Sequence, residues 1–585
     1  MKPLSGYLFS CIALGLASAP LSANAPARTN GIPQRAELPQ QQHALAFFIE
    51  RFQADLDSTE HTYDITAGPA REAALRALYL GWLQRLQEYQ PGSLSLEDRI
   101  DFALMQRELR YRLEQLDFSH QRNQQALALL PGVAPLIDMA EQRRALQPVL
   151  PMQAQRLLQA ATQALKANET ALRDAGQPVS PVVALRASKL LSAFRNDLKQ
   201  WHTFYDGYNP TYTKLVSQSY LELDKQFESS INFLRNDLAK AADPETIIGD
   251  PIGREAVESA LHHEMIPYTP EQIVQLAEKE LAWCQAEMQK AAAEMGYADW
   301  RQALEKIKQD GPAVGDQPQY VVKLADEAIR FIEDRQLVTI PELAKRDWQM
   351  TMLTPEYQLQ APFFLGGQDV WVAYPHDSMP EAKRAMALRG NNRYFSRAVV
   401  HHELIPGHHL QYFYNSRYNR QRELFDTPFW TEGWALYWEF LLYEKGFAES
   451  PEQKLGMLFW RSHRAARILF SLSFHMNTMS PQQAIDLLVT RVGHELENAA
   501  AEVRRSFAGD YSPIYQAAYM LGGLQFWALR QEMVGPGKMT DRQFHDAILK
   551  GGPMPVSVVR YRLLGKPFDT ELKPEWRFYP ALNIE

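Results

Sequence analysis

Along most of the chain apolar residues recur at three- and four-residue steps, the spacing of one buried helix face. The pattern begins at Leu45, where Ala46, Phe47, Ile49 and Phe52 are followed by Leu75, Leu78, Leu80, Trp82, Leu83 and Leu86. Further helices are predicted around 98–116, 153–175, 183–203 and 211–240, with breaks at Pro131-Gly132, Pro178-Val179 and Pro210. Thr269-Pro270-Glu271-Gln272 starts another, with Thr as cap, Pro in the first turn and Gln three residues on. This first half predicts a stack of antiparallel helices.

Between about 337 and 375 the pattern changes. Leu337-Val338-Thr339-Ile340, Trp348 to Leu353, and Val370-Trp371-Val372-Ala373-Tyr374 resemble short strands between Pro and Gly signals. Helices then resume at about 392–412, 428–447, 451–477, 480–492, 513–532, 540–549 and 555–563. The expected fold is mainly α: a large, helical, two-lobed architecture with a small β element, divided into an N-terminal helical region (41–310) and a C-terminal region (311–585).

The first residues break this picture. Met1-Lys2, an apolar run through Leu8, Phe9, Ile12, Leu14 and Leu16, and the small-x-small end Ala23-Asn24-Ala25 predict a signal peptide over 1–25. The Pro-, Ala-, Asn- and Gln-rich stretch over 26–40 reads as a disordered leader. Leu8-Phe9-Ser10-Cys11 resembles a lipoprotein cleavage box, but most of the apolar run follows the cysteine, so cleavage after Ala25 is expected, giving a periplasmic or secreted protein without an integral membrane segment. Cys284 is then the sole cysteine, and folding rests on packing rather than a disulfide. A net charge of −8 without a Lys/Arg tract argues against nucleic acid or anionic lipid as partners.

The chemistry gathers at His401-His402-Glu403-Leu404-Ile405-Pro406-Gly407-His408-His409. Four imidazoles surround one carboxylate, and Pro-Gly interrupts the helix that carries them. In the HExxH pattern two histidines four residues apart share a helix face and bind zinc. Here the second position is Pro406. On an unbroken helix His402 and His408 would differ by about 240° and roughly 9 Å, so a kink at Pro406-Gly407 is needed to bring His408 back beside His402. His409 competes: it is about 20° off the same face but roughly 10.5 Å further along. His408 is preferred.

A catalytic zinc needs a third protein ligand. Glu432, in Thr431-Glu432-Gly433-Trp434, sits on an apolar aromatic stretch where an unpaired charge is costly, and Glu439 two turns on suits the orienting of a ligand histidine. Glu403 is the candidate general base. His475 and Tyr519 are candidate oxyanion donors, and Arg560 and Arg562 candidate anchors for a substrate carboxylate. A near copy, His262-His263-Glu264-Met265-Ile266-Pro267, lacks a following histidine and reads as chance or local packing.

The combination of His402-Glu403-x-x-Pro406-Gly407-His408-His409-Leu410-Gln411 with Glu432-Gly433-Trp434-Ala435-x-Tyr437 resembles the bacterial family called domain of unknown function 885. The likeness runs from about Leu45 to the C-terminus and includes His475, Tyr519 with Gly522, and Gly551-Gly552-Pro553-Met554-Pro555. Ser471 and Ser473 stand where family members often have Asp and Gly. That family is similar to gluzincin-type zinc peptidases, which implies one Zn2+ per chain on His402, His408 and Glu432, with Glu403 as base. Dipeptidyl peptidase III, with HELLGH, has a motif lengthened by one residue.

The expected function is therefore an exported zinc metallopeptidase acting on peptides, short ones above all. A zinc hydrolase of a non-peptide amide or ester, or a non-catalytic helical peptide-binding module, are the alternatives.

Overall fold

Proline-led helix starts and buried apolar faces account for most of the architecture. The computed structural model describes residues 44–582 apart from 176–177, 244–245, 314, 359–360, 362, 365, 368, 508–510 and 566–567. The expected signal peptide and leader lie outside the described residues. Helices α1 (Ala44–Thr62), α2 (Pro69–Leu86), α3 (Leu96–Leu127), α4 (Ala134–Arg144), α5 (Pro151–Ala175), α6 (Pro181–Tyr205) and α7 (Pro210–Asn232) form the first half. The loop to α8 (Arg254–His263) leads on to α9 (Pro270–Glu294), α10 (Trp300–Ile307) and α11 (Gln317–Asp334). The capping box expected at Thr269 and Gln272 is present, and Ser480 with Gln483 repeats it.

Two strands follow. β1 (Gln349–Met352) and β2 (Asp369–Val372) pair in parallel, with Gln349 opposite Asp369 and Met352 opposite Val372, and the four-residue α12 (Pro355–Gln358) lies between them in sequence. The strand expected at Leu337-Val338-Thr339-Ile340 is not formed. Side chains take its backbone groups instead: Asp546 accepts from Thr339 N at 2.9 Å, His545 donates to Leu337 O at 2.7 Å, and Tyr414 donates to Thr339 O at 3.1 Å. With those groups satisfied by side chains, no ladder partner is required.

After α13 (Glu381–Gly390), the helix predicted over 392–412 is broken into α14 (Arg393–Glu403) and α15 (His408–Asn415). Then come α16 (Pro428–Glu444), α17 (Pro451–His475), α18 (Pro481–Leu487), α19 (Leu496–Phe507), α20 (Tyr515–Met533), α21 (Asp541–Gly551) and α22 (Val556–Leu564).

Among the described residues the fold is thus mainly α with one small parallel sheet. Helices α4–α7 close around their own core, including Ile137, Leu158, Leu191, Trp201 and Phe227. The main core joins Ile49, Phe52 and Leu104 of the first helices to Val400, Trp434, Trp438 and Phe470, and so draws on both regions that the sequence divides near residue 310. Its centre is the α16–α20 pair, with α17 packed between α9 and α20. No described helix is long and apolar enough to cross a membrane.

Candidate metal centre

Asn392 starts α14 by accepting hydrogen bonds from Tyr394 N and Phe395 N, both at 3.0 Å. The helix buries Phe395, Ala398, Val399 and Val400 and delivers His401, His402 and Glu403 in its last turn. There the chain turns back on itself. Gly407 N donates to His401 O at 3.1 Å, and Trp434 Nε1 of α16 donates to Pro406 O at 2.9 Å, pinning the turn to the core. Gly407 crosses directly over the carbonyl of His402, where a Cβ would lie only 2.5 Å from the carbonyl carbon. The turn reverses enough rotation for α15 to begin with His408 facing His402, their ring centres 4.9 Å apart.

The third group comes from α16. Thr427 caps it, accepting from Phe429 N at 3.2 Å, and residues 429–442 are all buried. Glu432 Oε2 stands 3.1 Å from His408 Nε2 and 3.3 Å from His402 Nε2. The donor atoms of His402, His408 and Glu432 lie within 4.8 Å of one another. A tetrahedral zinc with ligands at about 2.0–2.1 Å keeps those ligands roughly 3.4 Å apart, so the set has the spacing to hold one. His402 Nδ1 donates to Glu439 at 2.7 Å, which fixes the tautomer that leaves Nε2 for an ion.

Electrostatics fit the same occupant. Glu403, Glu432 and Glu439 are 8%, 6% and 3% exposed, three buried carboxylates around two imidazoles, an arrangement that favours a cation between them, with the Arg464 guanidinium 3.9 Å from Glu439 on the far side. Burial works against a charge on His402, but hydrogen bonds to Glu432 and Glu439 outweigh it and raise its pKa to about 9. Burial likewise opposes ionisation of Glu432, yet His408 and His402 hold it well below the carboxylate range.

Glu403 follows His402 in sequence but makes no hydrogen bond among the described residues; its Oε2 lies 4.0 Å from His408 Nε2. Burial raises its pKa. The chain leading into β2 covers it, and a Cβ on Gly366 would come within 2.8 Å of Glu403 Cα.

Helix α20 supplies two tyrosines. Its Gly522 lies against Gly433 of α16 so closely that a Cβ on Gly433 would be 2.6 Å from Gly522 Cα, and this approach brings the tyrosines to Glu432. Tyr519 stacks on His402 with ring centres 6.1 Å apart, and burial raises its phenol well above its ordinary pKa. Tyr515, one turn earlier, donates directly to Glu432 Oε1. Sequence reasoning missed Tyr515, although its i, i+4 spacing from Tyr519 puts both on one helix face.

Other candidates stand elsewhere. His409 Nε2 donates to Ala344 O at 2.8 Å and His401 Nδ1 to Arg397 O at 2.8 Å, so neither joins the cluster. The expectation that His475 stands at the centre is corrected. It closes α17 eleven residues beyond Arg464, the residue 3.9 Å from Glu439, about 16 Å along the helix, where its backbone carbonyl accepts from Gly253 N at 3.0 Å. Arg560 forks onto Glu532 at 2.7 and 3.0 Å and Arg562 pairs with Glu97 at 2.9 Å, so both are committed. In the near copy, Glu264 accepts from Thr427 Oγ1 at 2.5 Å and His263 stacks on Tyr111 at 3.8 Å; it packs against the start of α16.

Two solved structures share this fold. "A putative lipoprotein of unknown function" from Shewanella oneidensis has a TM-score of 0.63 at 19% identity, covering 89% of this chain and 100% of its own. "The putative lipoprotein" from Colwellia psychrerythraea has a TM-score of 0.60 at 19% identity, covering 89% and 98%. A comparison with curated proteins found no match. The family model described as bacterial protein of unknown function (DUF885) matches residues 46–563, and the chain belongs to that family.

Proposed function

We propose that the protein is an exported zinc-dependent metallopeptidase that hydrolyses peptide bonds, short peptides foremost. The observation that carries this is the convergence of two imidazole Nε2 atoms and a Glu432 oxygen beside Glu403, a buried carboxylate with no hydrogen-bond partner among the described residues. A structural site has no use for such a base. His402, His408 and Glu432 would hold the ion, leaving a fourth position open. Zinc held there supplies Lewis-acid polarisation and makes water a nucleophile at neutral pH.

The chain's own residues do the rest. Glu403 accepts the proton of the attacking water and passes it to the departing amine. Tyr519, kept protonated by its burial, is a donor for the oxyanion. Glu439 and Tyr515 orient His402 and Glu432. The two similar solved proteins are each described as a "putative lipoprotein", which supports a location outside the cytoplasm and favours lipid attachment at Cys11 more than the leader sequence alone does.

Digestion of a peptide library by the purified mature protein, with and without a chelator and read by mass spectrometry, tests the reading. Chelator-sensitive cleavage is expected. Intact peptides under metal-replete conditions would contradict it.

A further inference from the structure

Three arginines beside the centre take no part in holding a metal. Arg464 and Arg467 of α17 are 5% and 2% exposed, and their guanidinium carbons lie 4.6 and 4.4 Å from the centre of the Tyr519 ring, the ring that stacks on His402. Arg505 of α19, partly buried, packs over Tyr511 at 4.9 Å, and the Tyr511 ring lies 4.6 Å from that of Tyr515, the tyrosine that donates to Glu432. Two carboxylates face them. Glu502 takes Arg467 at 2.6 Å, while Glu439, 3.9 Å from Arg464, is already committed to His402. Arg467 Nε and Nη1, Arg464 Nε and Arg505 Nε have no hydrogen-bond partner among the described residues. Buried guanidinium N–H groups without an acceptor are costly, and an incoming anion relieves that cost.

We propose that Arg467 and Arg505 form the subsite for the C-terminal carboxylate of a peptide, so that residues are released from that end. The inference rests on the metallopeptidase reading and names its substrate class. Tyr519 packs against His402 on one hand and Arg464 and Arg467 on the other, Arg505 lies over the neighbouring Tyr511, and one extended residue advances only about 3.3–3.6 Å. An anion so close to the scissile bond in every substrate, whatever its side chains, is the terminal carboxylate. A planar fork of donors suits that group.

Binding is measured by calorimetry on the Glu403→Gln protein with three probes: N-acetyl-Ala-Phe, its C-terminal amide, and N-acetyl-Ala-Glu amide, which carries its carboxylate on a side chain. The acid is expected to bind at least about 30-fold more tightly than either amide, the lower end of what losing a buried charge partner costs. Arg467→Met and Arg505→Met should each remove most of that preference. If Arg467→Met does not fold, because Glu502 loses its partner, Arg505→Met, at a less deeply buried position, decides alone. Equal binding of acid and amide, tightest binding of the Glu amide, no binding of any probe, or a preference that survives Arg505→Met would each overturn the subsite. Cleavage by the unsubstituted protein is read separately. A preference for the acid without any hydrolysis would overturn the peptidase reading and leave the subsite standing, and hydrolysis with equal binding would do the reverse.

Discussion

Gly407 lies against the carbonyl group of His402 with no room for a side chain between them. The close approach by itself requires glycine at this position. The atoms it would strike are backbone atoms, which cannot swing aside. Gly407→Ala is therefore expected to lower stability by more than about 3 kcal/mol or to displace His408. Urea unfolding together with metal content checks this, and an alanine variant with unchanged stability and metal would show that the turn is softer than described.

Glu439 accepts from His402 at 2.7 Å inside a buried helix pair. Its replacement in Glu439→Gln keeps an acceptor but loses the charge, and weakens zinc binding by about 10- to 100-fold. Competition with a chelating dye measures the change. An unaltered affinity would mean that His402 is held by packing alone.

The two tyrosines of α20 should fail differently. Tyr515 donates to the ligand carboxylate, so Tyr515→Phe acts first on metal affinity. Tyr519 stacks on His402 and makes no hydrogen bond to Glu432 among the described residues, so Tyr519→Phe should keep the metal and lower kcat by about 100-fold or more with little change in KM. Reversed effects would exchange their roles.

Burial raises Glu264 to a pKa of about 7, above the carboxylate value of 4.5 that applies when the chain unfolds. The folded state then binds more protons than the unfolded state between those values, and stability falls as pH rises from about 4.5 through 7. Glu264→Gln keeps the acceptor for Thr427 and removes this slope. Relative to the unsubstituted protein it should gain about 2 kcal/mol on going from pH 5.5 to pH 8. Equal differences at both pH values in urea unfolding would place the Glu264 pKa near its ordinary range.

Much of the fold was legible because many of the helices announce themselves twice, by a 3.6-residue apolar face and by a Pro or Ser/Thr start, as at Thr269-Pro270 and Ser450-Pro451. The stretch at 337–340 was misread because a buried apolar run looks like a strand whenever its polar backbone is satisfied by distant side chains such as Asp546, 207 residues away.

At the centre, His402, His408 and Glu432 could be singled out because a charge on an apolar stretch needs a partner, and Pro406-Gly407 marks where the helix must yield. The arginines of α17 could not, and Tyr515 only through its i, i+4 spacing from Tyr519. Their proximity comes from the packing of α17 and α20 on α16, through contacts such as Gly433 on Gly522, which leave no local pattern. His475 illustrates the converse: a histidine on the right helix, three turns from the chemistry.

Zinc stoichiometry tests the central claim most directly. By inductively coupled plasma mass spectrometry the mature protein should carry one zinc per chain, retained in Glu403→Gln and in His409→Ala but lost in His408→Ala and Glu432→Ala. A protein that binds no zinc, or one that keeps it in His408→Ala and loses it in His409→Ala, would contradict the account.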